Sequence, residues 1–426
     1  MSRSSPPRDA QTGLADPARP VRTVGVEEEL LLVDADTMRP VPVAGAIMRN
    51  PASATGADGG MGPLLAFEVK QEQIEVVSPP RCTLGEVLAT IRQGRRDADV
   101  AARQVGARAV ALATGVVPLT SHLVAAPRYR RIQQEFGITM EEQLTCGLHV
   151  HVCVDSDDEG VGILDRIRPW LAVLLALSAN SPFQHGVDTG FASYRYQAWS
   201  RWPSAGAYDV FGTAAAYLAN RDAMLQTGVS LDAGMIYSDA RLSDHAPTVE
   251  TRISDVCLRA EESAALAVLI RALVCTAADE WAAGVPPDPV PAALLRLASW
   301  RASKSGLTGV LLDPRTHTPV PAADAVMTLL DHARGHFADE VEERFVADVI
   351  ATLLAQGTGA ARQREVLAGG GSYVDVIAAA VEETTRVVDA TATRSSLPGD
   401  VRAGDGCDAG HPSEGAPHDH SDTGIR

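Results

Sequence analysis

The stretch CGLHVHVCVD, residues 146–155, sets two histidines among apolar residues with a single valine between them. A strand has a side-chain period of two, so His149 and His151 point to one side while Val150, Val152 and Val154 point to the other. The valines read as core. The imidazoles read as ligands or proton carriers, with a hydrogen-bonded structural pair as the alternative.

Three further stretches share this two-sided character. In GVEEELLLVD, Glu27 and Glu29 lie on one face and Glu28 on the other. Carboxylates in line beside a core repel unless a cation sits between them, or unless the face is solvated. Gly25 just before them suggests a close approach to the backbone. In FEVKQEQIEVVSPP, Glu68, Lys70 and Glu72 alternate on one face, with Gln73 and Glu75 on the other. A bulge between them would let Glu68 and Glu75 converge. Glu75, beside Ile74, Val76 and Val77, reads as a buried acid, whereas a solvated edge explains Glu68 and Glu72 equally well. In TVETRISDV, Glu250, Arg252 and Ser254 share a face. Glu250 and Arg252 are either an ion pair along the strand or a metal ligand beside a phosphate-binding arginine.

Taken singly, each of these signals is weak. Taken together, they describe strands with one apolar face and one face of Glu, His or Arg. Such a surface suits a hard divalent cation, Mg²⁺ or Mn²⁺, which prefers oxygen ligands and tolerates an occasional imidazole; zinc would want more nitrogen or sulfur. Acid-held Mg²⁺ beside arginine is a usual arrangement for handling nucleotide phosphates. No GxxxxGK[ST] stretch is present, so an ATP site here would not be a P-loop.

The positioning elements follow from periodicity. Thr23–Asp34 and Leu64–Pro80 are the first periodic segments, separated by a loop rich in Pro, Gly and Ala. Thr83 with Glu86 forms a capping box that opens a helix, and Gly106 ends it. RAVALATG reads as a strand and Arg128–Phe136 as a short helix. ILDRIRPWLAVLLALSAN reads as a long helix bent or split at Pro169. Residues 180–212 concentrate Tyr, Trp, Arg and Gly in a chain only 4% aromatic, which points to a binding loop. A helix near Thr213–Leu225 and the strand HAPTVETRISDVC come next, and about 260–392 reads as helical.

The chain has 426 residues, 46% of them hydrophobic and 21% charged, as in an ordinary soluble protein. A net charge of −17 argues against nucleic acid as a partner. The longest apolar run, Trp170 to Ala179, is about half of a membrane span. The N-terminus lacks a secretory signal and the six cysteines form no CxxC pair, which together suggest the cytoplasm. Residues 1–21 read as a disordered lead, 22–392 as one catalytic domain, and 393–426 as a disordered acidic tail containing His411, His418 and His420.

GVEEE, EVKQEQIEVVSPP, CGLHVHV, DTGFASYRYQAWSRWP and PTVETRISDV occur in that order. Together they resemble the glutamate–cysteine ligase type 2 family of carboxylate–amine ligases, from about residue 22 to about 390. The resemblance implies an α+β fold: a curved antiparallel sheet forming a funnel with helices packed outside, a glutamine synthetase-like catalytic domain. It implies Glu27, Glu29, Glu75, His149 and Glu250 as Mg²⁺ ligands, with Glu68 as an additional one. It implies Arg252 on the transferred phosphate, His151 orienting a ligand, and Tyr194, Arg195, Trp202 and Arg241 on substrate or ATP. Ser238 stands where the family usually has tryptophan in YWDVRPS, so the substrate pocket is expected to differ in shape. The implied reaction is ATP-dependent: the γ-carboxylate of glutamate becomes an acyl-phosphate, and cysteine or another amine attacks it. A homodimer is the family expectation. The alternatives are a guanidino kinase-type phosphotransferase using the same funnel and a non-catalytic binding protein that retains the fold.

Overall fold

The computed structural model describes residues 21–49 and 62–386. The expected disordered lead and tail lie outside the described residues, apart from Val21. An antiparallel sheet organises the chain. Its strands are β1 (Val24–Asp34), β2 (Leu64–Phe67), β3 (Gln73–Val77), β4 (Ala107–Val110), β5 (Gly147–Cys153), β8 (Ala240–Leu242) and β9 (Thr248–Asp255). The order is β2-β3-β1-β5-β9-β8, with β4 pairing the far half of β1. A small hairpin, β6 (Phe183–Gln184) and β7 (Val187–Asp188), stands apart, as does another, β10 (Val310–Leu312) and β11 (Pro319–Pro321).

The apolar face of this sheet is where the alternation placed it. Val24, Val26, Leu148, Val150, Val152 and Val249 are buried in one core with the helices Asp157–Ile167, Leu171–Ser178 and Ala260–Ala282. Glu28 also points to this side. Its carboxylate takes two hydrogen bonds from Arg95, at 2.9 and 2.7 Å, and one from Ser263 Oγ at 2.6 Å. Arg95 is fully buried on the helix Leu84–Arg103, so the acid that faces away from its neighbours is a structural anchor.

Several local expectations are met. Thr83 and Glu86 form the reciprocal capping box. Pro169 splits the apolar segment into Asp157–Ile167 and Leu171–Ser178, with a 3₁₀ turn at Arg168–Trp170 between them. Thr213 caps the helix Ala214–Gln226.

Other expectations are corrected. Leu64–Pro80 is not one bulged strand: β2 and β3 are antiparallel partners, and the turn at 68–72 folds Glu68 back over Glu75. Glu72 is not on a solvated edge. It is buried and accepts from the His122 backbone at 3.2 and 3.0 Å, with His122 Nδ1 2.6 Å away. Lys70 is buried as well, donating to Ser121 Oγ at 2.7 Å and to the Glu141 carbonyl at 3.1 Å. The 180–212 stretch, expected as a binding loop without clear period, contains the β6–β7 hairpin and the helix Tyr194–Trp199, and it is tied to the sheet through Asp255. That carboxylate accepts from the Asn180 amide and the hydroxyls of Ser181 and Ser193, all within 2.8 Å.

Candidate active site

On the opposite face, strand register makes the acids and imidazoles direct neighbours. Glu27 pairs with His149, Glu29 with Glu75, and His151 with Glu250, which also pairs with Arg241. A bulge between Leu148 and Val150 sits at His149. Two glutamates opposed across β1 and β3 are a destabilising pair on an ordinary sheet. Here Glu75 borders a cavity of about 470 Å³ lined by Glu27, Glu68, Glu75, His149, His151, Arg241, Glu250 and Arg252, together with Thr23, Gly25, Ser78, His245 and Thr248.

His149 Nδ1 lies 3.2 Å from Glu27 Oε2 and 4.0 Å from Glu250 Oε1, and its Nε2 lies 3.8 Å from Glu29 Oε1. His151 Nε2 lies 3.3 Å from Glu27 Oε1, and its Nδ1 lies 3.0 Å from Thr248 Oγ1. Glu29 Oε2 accepts the Gly147 amide at 2.6 Å. Glu250 is gripped from two sides: Arg241 Nε donates to Oε2 at 2.7 Å, and Arg252 pairs with Oε1. The along-strand ion pair between Glu250 and Arg252 is therefore present, and it stands inside the cavity.

The electrostatics divide the acids. Burial and the neighbouring charge of Glu29 push the Glu68 carboxyl up to about 8. Burial, then the charges of Glu68, Glu27 and Glu29, push Glu75 well above the carboxylate range. Burial acts on Glu250 in the same sense, but Arg252 and Arg241 outweigh it and hold Glu250 at about 2. Burial likewise acts to raise Glu27, and the hydrogen bonds of His149 and His151 reverse it, leaving Glu27 well below its ordinary value. Burial, with the Arg252 charge, lowers His149 and so favours its neutral, ligating form.

The donor set fits a divalent cation. Glu27, His151 and Glu250 bring ligand atoms within 4.8 Å of one another, and Glu27, Glu75 and His149 do the same. The Nε2 atoms of both histidines are buried without a hydrogen-bond partner. The carboxylates of Glu27, Glu29, Glu68, Glu75 and Glu250 outnumber the guanidiniums of Arg241 and Arg252, so added positive charge offsets the burial and mutual repulsion that raise Glu68 and Glu75.

The three residues expected from the aromatic stretch stand apart from the cavity lining. Trp202 is buried among Ile132, Met140 and Met235, and its indole donates to Gln143 Oε1 at 3.2 Å. Tyr194 is half-buried against Phe191. Arg195 is fully buried against the ends of β5 and β9 on the His149 side of the sheet, donating to the carbonyls of Arg252 and Ile253 at 3.3 Å. The guanidiniums of Arg195 and Arg252 lie 5.7 and 6.0 Å from the Trp199 ring centroid. Sequence reasoning missed Gly147. A Cβ there would sit 2.2 Å from Arg195 Nη2 and 3.1 Å from His149 Nε2, so any side chain would have to displace Arg195. It also placed a close approach at Gly25, where a Cβ would meet nothing nearer than His151 Cβ at 3.7 Å.

The fold has solved counterparts. A glutamate–cysteine ligase of Francisella tularensis, solved with AMP, superposes with a TM-score of 0.61 at 12% identity, covering 88% of this chain and 92% of that one. A bifunctional glutathione synthetase of Pasteurella multocida superposes with a TM-score of 0.62 at 14% identity, covering 86% of this chain and 52% of that one. Among the described residues no helix is long and apolar enough to cross a membrane. The molecule is an enzyme of the class that joins a carboxylate to an amine, an amide-forming ligase. Residues 23–385 match the family described as Glutamate-cysteine ligase family 2 (GCS2), and the chain belongs to it. A Paenarthrobacter aurescens protein provisionally named glutamate–cysteine ligase 2-1 is 49% identical over 365 residues, 85% of this chain and 95% of that one. A Streptomyces coelicolor relative, provisionally named glutamate–cysteine ligase 2, is 44% identical over 364 residues, 85% of this chain and 99% of that one.

Proposed function

We propose that this ligase uses ATP to activate the γ-carboxylate of glutamate as an acyl-phosphate, which the amino group of cysteine or another amine then converts to an amide. The observation that carries the reading is the pair of acid–imidazole triads that share Glu27 and lie beside Arg252 in one cavity. A carboxylate is a poor electrophile because its charge is delocalised, so it must be phosphorylated before an amine can add. Phosphoryl transfer is mainly a matter of positioning and of neutralising charge.

Glu27, Glu29, Glu75, His149 and Glu250, with Glu68 from the β2–β3 turn, would hold Mg²⁺ or Mn²⁺. Such a cation supplies charge neutralisation at the nucleotide phosphates when bound. Arg252, which lines the cavity beside Glu250, would donate to the phosphoryl group in transit. Arg241 holds Glu250 in place, and Thr248 fixes the ring of His151 through Nδ1. Arg195 and Trp199 flank Arg252 and Gly147 on the face of the sheet that carries His149.

The test is an ADP-release screen that pairs glutamate and related acids with a panel of amines, with and without Mg²⁺. Equal release of ADP and inorganic phosphate, with amide formed, supports the ligase. ADP without phosphate indicates a kinase instead. No ADP from any pair leaves a binding protein.

A further inference from the structure

The cavity has a requirement that its acids and metal-ligating histidines do not meet. A pocket lined by carboxylates holds an incoming amine as its ammonium ion, the form without a lone pair. A base must therefore remove a proton before the amine can add to a carbonyl carbon.

Few lining groups are free for this task. Glu250 is paired with Arg241 and Arg252, and Glu27 lies against His149 and His151. Glu29 already accepts the Gly147 amide. Glu68, Glu75 and His149 would be engaged in holding the cation, and His151 lies between Glu27 and Thr248.

His245 is different. It lines the same cavity from the β8–β9 hairpin, is exposed, and no hydrogen bond or ion pair of its ring occurs among the described residues. Its loop is nevertheless fixed. The Ser243 amide donates to the Thr248 carbonyl at 3.0 Å, the Thr248 amide to the Ala246 carbonyl at 2.7 Å, and the His245 amide to Ser243 Oγ at 3.3 Å. Asp244 reaches Arg221 on the neighbouring helix at 3.5 Å. The chain thus presents, at the rim of the acidic cavity, an unengaged imidazole on a braced turn. Histidine is the side chain best suited to proton exchange near neutral pH.

We infer that His245 is the base that deprotonates the incoming ammonium group, an inference that rests on the ligase reading above. The neutral imidazole takes one proton from R–NH₃⁺. The freed lone pair forms the C–N bond at the acyl carbon, and the bond from that carbon to the bridging oxygen breaks, its electron pair leaving on phosphate. The surplus proton on the new amide nitrogen passes to the departing phosphate, and the imidazolium later returns its own proton to water.

The experiment compares two kinds of nucleophile on the full chain with glutamate, ATP and Mg²⁺. Hydroxylamine is largely uncharged at pH 7 and needs no base; L-cysteine, ammonia and methylamine enter with the amine protonated. In His245→Gln, kcat with the protonated amine that the parent uses best falls about a hundredfold, while kcat with hydroxylamine stays within about twofold. In His245→Ala, added imidazole restores turnover with the protonated amine. Equal losses with both nucleophiles, no loss with either, or a parent that accepts hydroxylamine but no protonated amine would each overturn the inference. A parent that forms neither hydroxamate nor amide overturns the ligase reading itself, and this inference with it.

Discussion

The backbone amide of Gly147 donates to Glu29 Oε2 at 2.6 Å, and the hydrogen on its Cα faces Arg195 where a methyl group would collide. One residue without a side chain thus aims a candidate cation ligand and admits a buried guanidinium behind His149. Gly147→Ala should displace Arg195 or His149, cost about 1–3 kcal/mol of stability and abolish most turnover. Gly25→Ala, with only ordinary contacts to meet, should leave both nearly unchanged. Chemical denaturation and kcat/KM on the two variants decide this, and equal behaviour would refute it.

His149→Ala removes an imidazole with an unpartnered buried Nε2. Metal affinity should fall about 10–100-fold with the melting temperature little changed. Calorimetric titration with Mn²⁺ is the measurement. Unfolding without a selective loss of metal affinity would make the histidine pair structural.

Glu28 and Arg95 form a buried pair behind the sheet, with Arg95 1% and Glu28 2% exposed. Breaking it by Arg95→Ala leaves an uncompensated buried carboxylate and should destabilise the chain by about 3–5 kcal/mol. Replacing both partners with leucine and methionine should cost clearly less. Urea unfolding of the single and double variants tests this; similar costs for the two would mean that packing, not charge, dominates there.

Asp239 gives a pH signature away from the acid cluster. Burial pushes its carboxyl up to about 7, against the opposing hydrogen bond of Tyr196, and its Oδ1 is buried without a partner. The folded chain keeps this proton between about pH 4 and 7 while the unfolded chain has released it. The unfolded state therefore binds fewer protons, and the stability contribution is lost as pH rises through that window. Asp239→Asn should flatten this slope and stabilise the protein at pH 8 by at least about 1 kcal/mol. Melting curves of both proteins from pH 5 to 8 check it; parallel curves would show that Asp239 is ionised throughout.

The candidate site was legible in the sequence to the extent that strand period governs it. His149 with His151, Glu27 with Glu29, and Glu250 with Arg252 alternate, and alternation along a strand is a local property. What depended on pairing was not legible. The turn after Phe67 carries no glycine or proline, so Leu64–Pro80 reads as one segment, and the hairpin that brings Glu68 over Glu75 stays hidden. Glu72 looks solvated because the partner that buries it, His122, lies some fifty residues further along. Gly147 shows no signal because the reason for it, Arg195, arrives from a separate helix. The short β10–β11 hairpin is flanked by prolines and lost among helices.

The spacing of β1 and β9 along the polypeptide has a consequence for biosynthesis. A nascent chain that has not yet reached Ala240 already carries Glu27, Glu29, Glu68 and Glu75 but lacks both guanidiniums, Arg241 and Arg252, that face them. Docking of the last hairpin onto β5 is therefore the closing event of sheet assembly, and a product truncated before it holds a cluster of like charges and no working centre.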